Sequence, residues 1–185
     1  YTTLFRSMRS IAWKQSVRGQ GLMVKKWDYT TEPRAVVLVH ADTKDYDHPE
    51  PAELCYSMAR TVCRRLEEKA VSYRFAANAA FDLLLNAALS GEEWRKPLET
   101  PQGYGPEHYR RVLEILGRAT GQTALSCARF CAEYYHPQEQ VGCIVVTTEP
   151  EEAVRAAVRP LPGIPLLVLT PEMAVKTAQT GEAGA

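Results

Sequence analysis

No run of this sequence approaches the roughly 18 apolar residues that a membrane span requires. Charge of one sign is equally lacking, because 22 basic and 22 acidic residues cancel to a formal net charge of +0. No global field therefore points to nucleic acid or to an anionic lipid surface. No glycine-rich phosphate loop follows any expected strand, and Gly117 and Gly121 lie between two expected helices, the wrong context for gripping a phosphate. That argues against nucleotide hydrolysis or dinucleotide chemistry by this chain. The cysteines (Cys55, Cys63, Cys127, Cys131, Cys143) are odd in number and mostly fall at apolar positions, which argues against a disulfide framework and for a reducing compartment. Signal-like openings, internal repeats and low-complexity blocks are missing too.

What remains is an ordinary globular composition. With 185 residues, 45% hydrophobic and 24% charged, one domain with a real core is expected. The stretch Arg34-Ala-Val-Val-Leu-Val-His40 organises the reading. It is β-branched and continuously apolar, as a strand covered on both faces must be, and it runs into an acidic loop from Ala41 to Pro51. A helix follows, with Glu50, Pro51 and Glu53 suited to its first turn and Leu54, Met58, Val62 and Leu66 forming the expected inward stripe. Val71 to Ala76 alternates as a second strand, so strand, helix and strand make a βαβ unit.

Further on, Phe81 to Leu89 reads as helical, and Ser90 to Pro106 as loop. Glu107 to Arg118 (Val112, Leu113, Leu116 inward) and Thr123 to Tyr135 (Leu125, Ala128, Ala132, Tyr135 inward) read as a helical pair. Val141 to Thr147 and Ile164 to Thr170 are expected strands, with a short helix from Pro150 to Val158 between them and Ala153, Val154, Ala157 and Val158 inward. Before all of this, Leu22 to Thr30 reads as an edge strand carrying Lys25 and Lys26, which discourage edge-to-edge pairing. The expected fold class is α/β and Rossmann-like, a mostly parallel sheet with helices on both faces. Ligands of such sheets bind where the loops leave the strands' C-terminal ends.

Two stretches of the N-terminal region carry a resemblance. Arg9-Ser-Ile-Ala-Trp13-Lys14-Gln-Ser-Val-Arg18, followed by Gly21-Leu22-Met23-Val24-Lys25, resembles the signature of the domain-of-unknown-function 58 family. The later order resembles it as well: an apolar strand, Tyr73 to Asn78 at a strand end, a helical pair, and Ile144 to Thr148. The resemblance covers roughly residues 8–170. It implies a von Willebrand factor A-like domain, carried by a parent with N-terminal membrane helices and a β-sandwich segment, on the cytoplasmic side of the membrane. It also implies an adaptor or assembly role beside a MoxR-type AAA+ ATPase. Residues 1–7 look like the translation of a sequencing-adapter oligonucleotide, and no Met stands at position 1, so a fragment of a longer protein is expected. The boundaries that follow are 1–7 as foreign, 8–32 as signature arm and edge strand, 33–172 as the α/β domain and 173–185 as tail.

Domains of this type often hold a divalent cation through an Asp-x-Ser-x-Ser loop. Here His40, Asp42 and Lys44 occupy those positions, and a lysine ammonium repels a cation and offers no lone pair. Asp42, Thr43 and Asp45 are the residual candidates for Mg²⁺ or Mn²⁺, against the plainer expectation of no cofactor and a solvated acidic loop. Cys127 and Cys131, one helical turn apart, could begin a zinc site, but His136 alone does not complete one, and small buried hydrophobes are the simpler reading. His48 and His108 have no nucleophile nearby in sequence. From Tyr1 to Trp27 there are six basic residues and no acid, yet the neutral total provides no wider nucleic-acid footprint. The expected function is therefore protein interaction without catalysis. Its rim is formed by Asp42, Asp45, Asp47, Asn78, Thr147, Thr148 and Glu149, which follow strand ends. A hydrolase or metal-dependent binding domain using the same edge is the alternative.

Overall fold

The computed structural model describes residues 34–43, 48–79, 96–136, 141–160 and 162–173. The signature arm, the expected edge strand at 22–30, the expected helix at 81–89 and most of the tail lie outside them. In chain order the elements are β1 (Arg34–His40), α1 (Glu50–Glu68), β2 (Ser72–Ala77), β3 (Leu98–Glu99), α2 (Pro106–Arg118), α3 (Cys127–Tyr134), β4 (Gly142–Thr147), α4 (Glu151–Ala157) and β5 (Leu166–Leu169). The five strands form one sheet in the order β3-β2-β1-β4-β5. All neighbours are parallel except β3, which runs antiparallel to β2. This is the α/β, Rossmann-like arrangement expected from the sequence.

β1 sits in the centre, and every residue after Arg34 is buried. Its two faces feed two cores. Val37 and Val39 pack with Ala52, Cys55, Ala59 and Cys63 of α1 and with Val112 and Ile115 of α2. Val36 and Leu38 pack on the other side with Phe130 and Cys131 of α3 and Val154 of α4. Helices thus cover both faces, and a strand covered twice has no polar face left to alternate with. Each fully buried Val, Leu or Phe here contributes roughly 1.5–3 kcal/mol of transfer free energy.

The helices differ from expectation in the faces they bury. α1 turns Ala52, Cys55, Tyr56, Ala59 and Cys63 inward, while the expected stripe of Leu54, Met58, Val62 and Leu66 is only partly buried. Small residues along the contact line let the helix approach the sheet closely, and Met58, Val62 and Leu66 flank it. In α2 Val112 is buried as expected, but Leu113 is 38% exposed, and Ile115 and His108 are inside. In α3 Phe130 and Cys131 are buried, whereas Ala128 and Ala132 face solvent. Ala153 of α4 is likewise exposed. The stretch expected to be all loop holds β3, whose two residues pair Glu99 with Ala76 and Leu98 with Ala77. Pro97 and Pro101 bracket it so tightly that no strand pattern could show in the sequence.

Candidate functional site

The chain leaves β1 toward β2 on one side and returns to β4 on the other, so the C-terminal ends of β1 and β4 flank the point where strand order reverses. In open α/β sheets that crevice is where ligands bind. Three segments meet there. The β1 loop and the β4 loop are tied by a reciprocal pair: the Asp42 amide donates to Thr148 Oγ1 at 3.1 Å, and that hydroxyl donates to the Asp42 carbonyl at 3.2 Å. The Thr148 amide also donates to the His40 carbonyl at 3.2 Å.

The third segment is the link from α2 to α3, drawn across the sheet edge. The Thr43 amide donates to the Gly121 carbonyl at 2.7 Å. Tyr56 of α1 donates its hydroxyl to the Thr120 carbonyl at 2.6 Å, and burial pushes that phenol's pKa up. Thr123 donates to Asp42 Oδ1 at 3.4 Å. Gly121 is required where it stands, because a Cβ there would overlap Thr43 Oγ1 and come within 2.9 Å of Thr43 Cβ.

Asn78 holds this link from beneath. Its carbonyl oxygen accepts from the Ala124 and Leu125 amides, both at 3.0 Å. Its amide nitrogen donates to the Leu125 carbonyl at 2.8 Å and to His40 Nδ1 at 2.7 Å. Two donors and two acceptors are all that an asparagine side chain has. Because the oxygen must face the two amides, the nitrogen faces His40, whose Nδ1 is then the acceptor. The His40 ring also stacks on Phe130, with centroids 6.3 Å apart. This clamp explains why α3 begins later than expected. The Ala124 and Leu125 amides are bound to Asn78, and Ser126 becomes the N-cap, accepting from the Arg129 amide at 3.4 Å.

Beside the switch point, a crevice of about 590 Å³ opens between the β4 and β5 ends, with Thr148, Glu149, Glu151, Glu152 and Glu172 among its walls. Glu151 is paired with Arg155 at 2.6 Å. A larger groove of about 880 Å³ lies between α1 and α2, away from the strand ends. Two of its arginines, Arg64 and Arg65, are bound to Glu68.

No family model, curated protein or solved structure matches this chain.

The expected rim residues divide in three. Asp42, Thr148 and Glu149 stand together at the edge and are partly exposed. Asn78 and Thr147 are 1% and 0% exposed, so they do not face a partner as expected; they build the rim from below. Asp45 and Asp47 lie outside the described residues, as do Arg9, Trp13, Lys14, Arg18, Leu22, Met23 and Val24. Of the metal candidates, Asp42 accepts from Thr123, and Thr43 Oγ1 is buried without a partner. Among the described residues no three His, Cys, Asp or Glu side chains converge as a metal site would need. Sequence reading missed Tyr56, Gly121 and Thr123, since each acts across more than 60 residues of chain.

Proposed function

We propose that this domain is a protein-interaction module, non-enzymatic and von Willebrand factor A-like, that docks a partner at the C-terminal edge of its sheet. The partner is a AAA+ ATPase of the MoxR type, and the domain belongs to a membrane-anchored parent on the cytoplasmic side. Among the described residues no helix is long and apolar enough to cross a membrane, so any anchor in this reading lies elsewhere. The observation that supports the docking surface is the acidic crevice at the switch point, where Glu149, Glu152 and Glu172 line a wall beside Asp42. Such a surface suits a basic segment of a partner and steers its approach. The polar groups of this edge are also largely bound to one another: Asp42 to Thr148 and Thr123, and His40 Nδ1 to Asn78. A hydrolytic site would instead need a nucleophile and a base aimed at one substrate position.

The test is capture of the purified ATPase by the domain, with Glu152→Lys/Glu172→Lys and Asp42→Ala/Asp45→Ala variants beside the parent. Loss of capture at low salt by a variant that melts like the parent is the expected result. Undiminished capture by both variants removes the docking surface from consideration. Turnover of ester, phosphate or peptide substrates that persists through purification replaces the reading with the hydrolase.

A further inference from the structure

Of the five cysteines, four are buried: Cys55, Cys63, Cys131 and Cys143. Burial pushes the thiols of Cys55, Cys63 and Cys143 up to about 12, which leaves them protonated and inert. Cys127 differs in every respect. It is partly exposed, and it is the first residue of α3, directly after the Ser126 cap. The positive end of a helix favours a thiolate there.

Its neighbours are arranged as donors. Thr147, wholly buried at the end of β4, accepts the Glu149 amide at 3.0 Å, which leaves its own hydroxyl proton free to be given away. That hydroxyl and the Cys131 thiol one turn along both hydrogen-bond Cys127 and hold its pKa below the ordinary thiol range, against burial and the Glu149 carboxylate, which raise it. Cys131 is driven the opposite way, as the donor of such a pair must be. The remaining titratable group of this corner is His40, which pairs with Thr147 across β1 and β4. Its Nδ1 is engaged by Asn78.

We propose that Cys127 is a redox-modification site at the β1/β4 crevice, reacting with hydroperoxides and then with a low-molecular-weight thiol. The thiolate sulfur attacks one peroxide oxygen, the O–O bond breaks, and Cys127 becomes a sulfenic acid while the second oxygen leaves as hydroxide or alkoxide. A small thiol then displaces water from the sulfenic sulfur, giving a mixed disulfide. Cys131 does not resolve the sulfenic acid. Residues four apart on a helix hold their Cβ atoms about 5–6 Å apart, and a disulfide needs roughly 3.5–4.5 Å. Cys131 thus tunes Cys127 without closing a bond to it. The site stands independently of the partner reading, because its chemistry is scored on the chain alone.

The test treats the full chain with limiting iodoacetamide, and separately with hydrogen peroxide plus dimedone or glutathione, and maps all five cysteines by mass spectrometry. Cys127 is expected to alkylate at least about tenfold faster than any of the other four. Its pH midpoint should lie below the roughly 8.5 of a free cysteine. It should also carry the dimedone and glutathione adducts. Thr147→Val is expected to slow Cys127 several-fold and raise its midpoint, whereas Thr147→Ser restores both, which separates hydroxyl donation from a folding defect. Equal labelling of all five thiols, a Cys127 midpoint at or above that of free cysteine, or a Cys127–Cys131 disulfide as the main peroxide product each overturns the proposal.

Discussion

Removing the Asn78 side chain breaks the link from α2 to α3 off the sheet edge, and the size of the effect follows from its four hydrogen bonds. Asn78→Ala leaves the Ala124 and Leu125 amides, the Leu125 carbonyl and His40 Nδ1 without their partner. A net 1 kcal/mol per hydrogen bond gives about 4 kcal/mol as the full loss. The three backbone groups are only part-buried, so water recovers some of it, and roughly 2–4 kcal/mol is expected. His40 is 2% exposed, and its share is not recovered. Asn78→Asp separates the halves of the clamp. An ionised carboxylate keeps both amide contacts but turns acceptor against acceptor at Leu125 and His40. It should therefore protect the Ala124 and Leu125 amides from hydrogen exchange while still costing stability. Urea denaturation followed by fluorescence gives the free energies, and hydrogen exchange reads the two amides individually. An Asn78→Ala protein within about 0.5 kcal/mol of the parent, with unchanged exchange at Ala124 and Leu125, would refute the clamp.

Two further outcomes test the same region and its opposite edge. Gly121→Ala should cost about 1–3 kcal/mol through overlap with Thr43. Thr43→Ala alone should change the melting temperature little, because its hydroxyl has no partner, and adding it to Gly121→Ala should return part of the loss. His108 is buried beside Tyr73, ring centroids 4.6 Å apart, and burial holds its pKa below 6.5 although Glu67 opposes this. The unfolded chain then binds a proton near pH 6.5 that the folded chain does not accept. Stability is full above that pH and falls as pH drops from there toward the depressed folded value. His108→Leu should flatten this limb of a pH–stability curve; an unchanged limb assigns it to other groups.

The strands were legible because double-sided burial writes itself as a continuous β-branched run, as in Val36 to Val39 and Cys143 to Val146. The helices were legible as helices, but their faces were not. Hydrophobicity ranks Leu54 and Leu113 above Ala52 and His108, whereas contact with a sheet rewards small residues and any polar group that finds its shape there. The start of α3 was misjudged because Asn78, 46 residues upstream, takes the amide that helical periodicity assigns to the first turn. At the candidate site, proximity to strand ends correctly picked Asp42, Thr148 and Glu149 as edge residues. It could not tell which neighbours point into the sheet, and so Asn78 and Thr147 were placed on a surface they lie beneath. Cys127 was hidden for the same reason: its environment is assembled from β4, which is distant in sequence.

The central position of β1 has a cost during synthesis. Its residues come first among the strands, yet one of its two edges is closed only by β4, and the Asp42–Thr148 tie spans 106 residues. At about 5–20 residues per second, a ribosome needs roughly 5–20 s to make that length of chain. Through that interval Val36 and Leu38 have neither their strand partner nor the helices that cover them. The nascent chain therefore presents an unpaired, aggregation-prone strand edge, and the yield of folded protein should depend on how well that edge is shielded until β4 arrives.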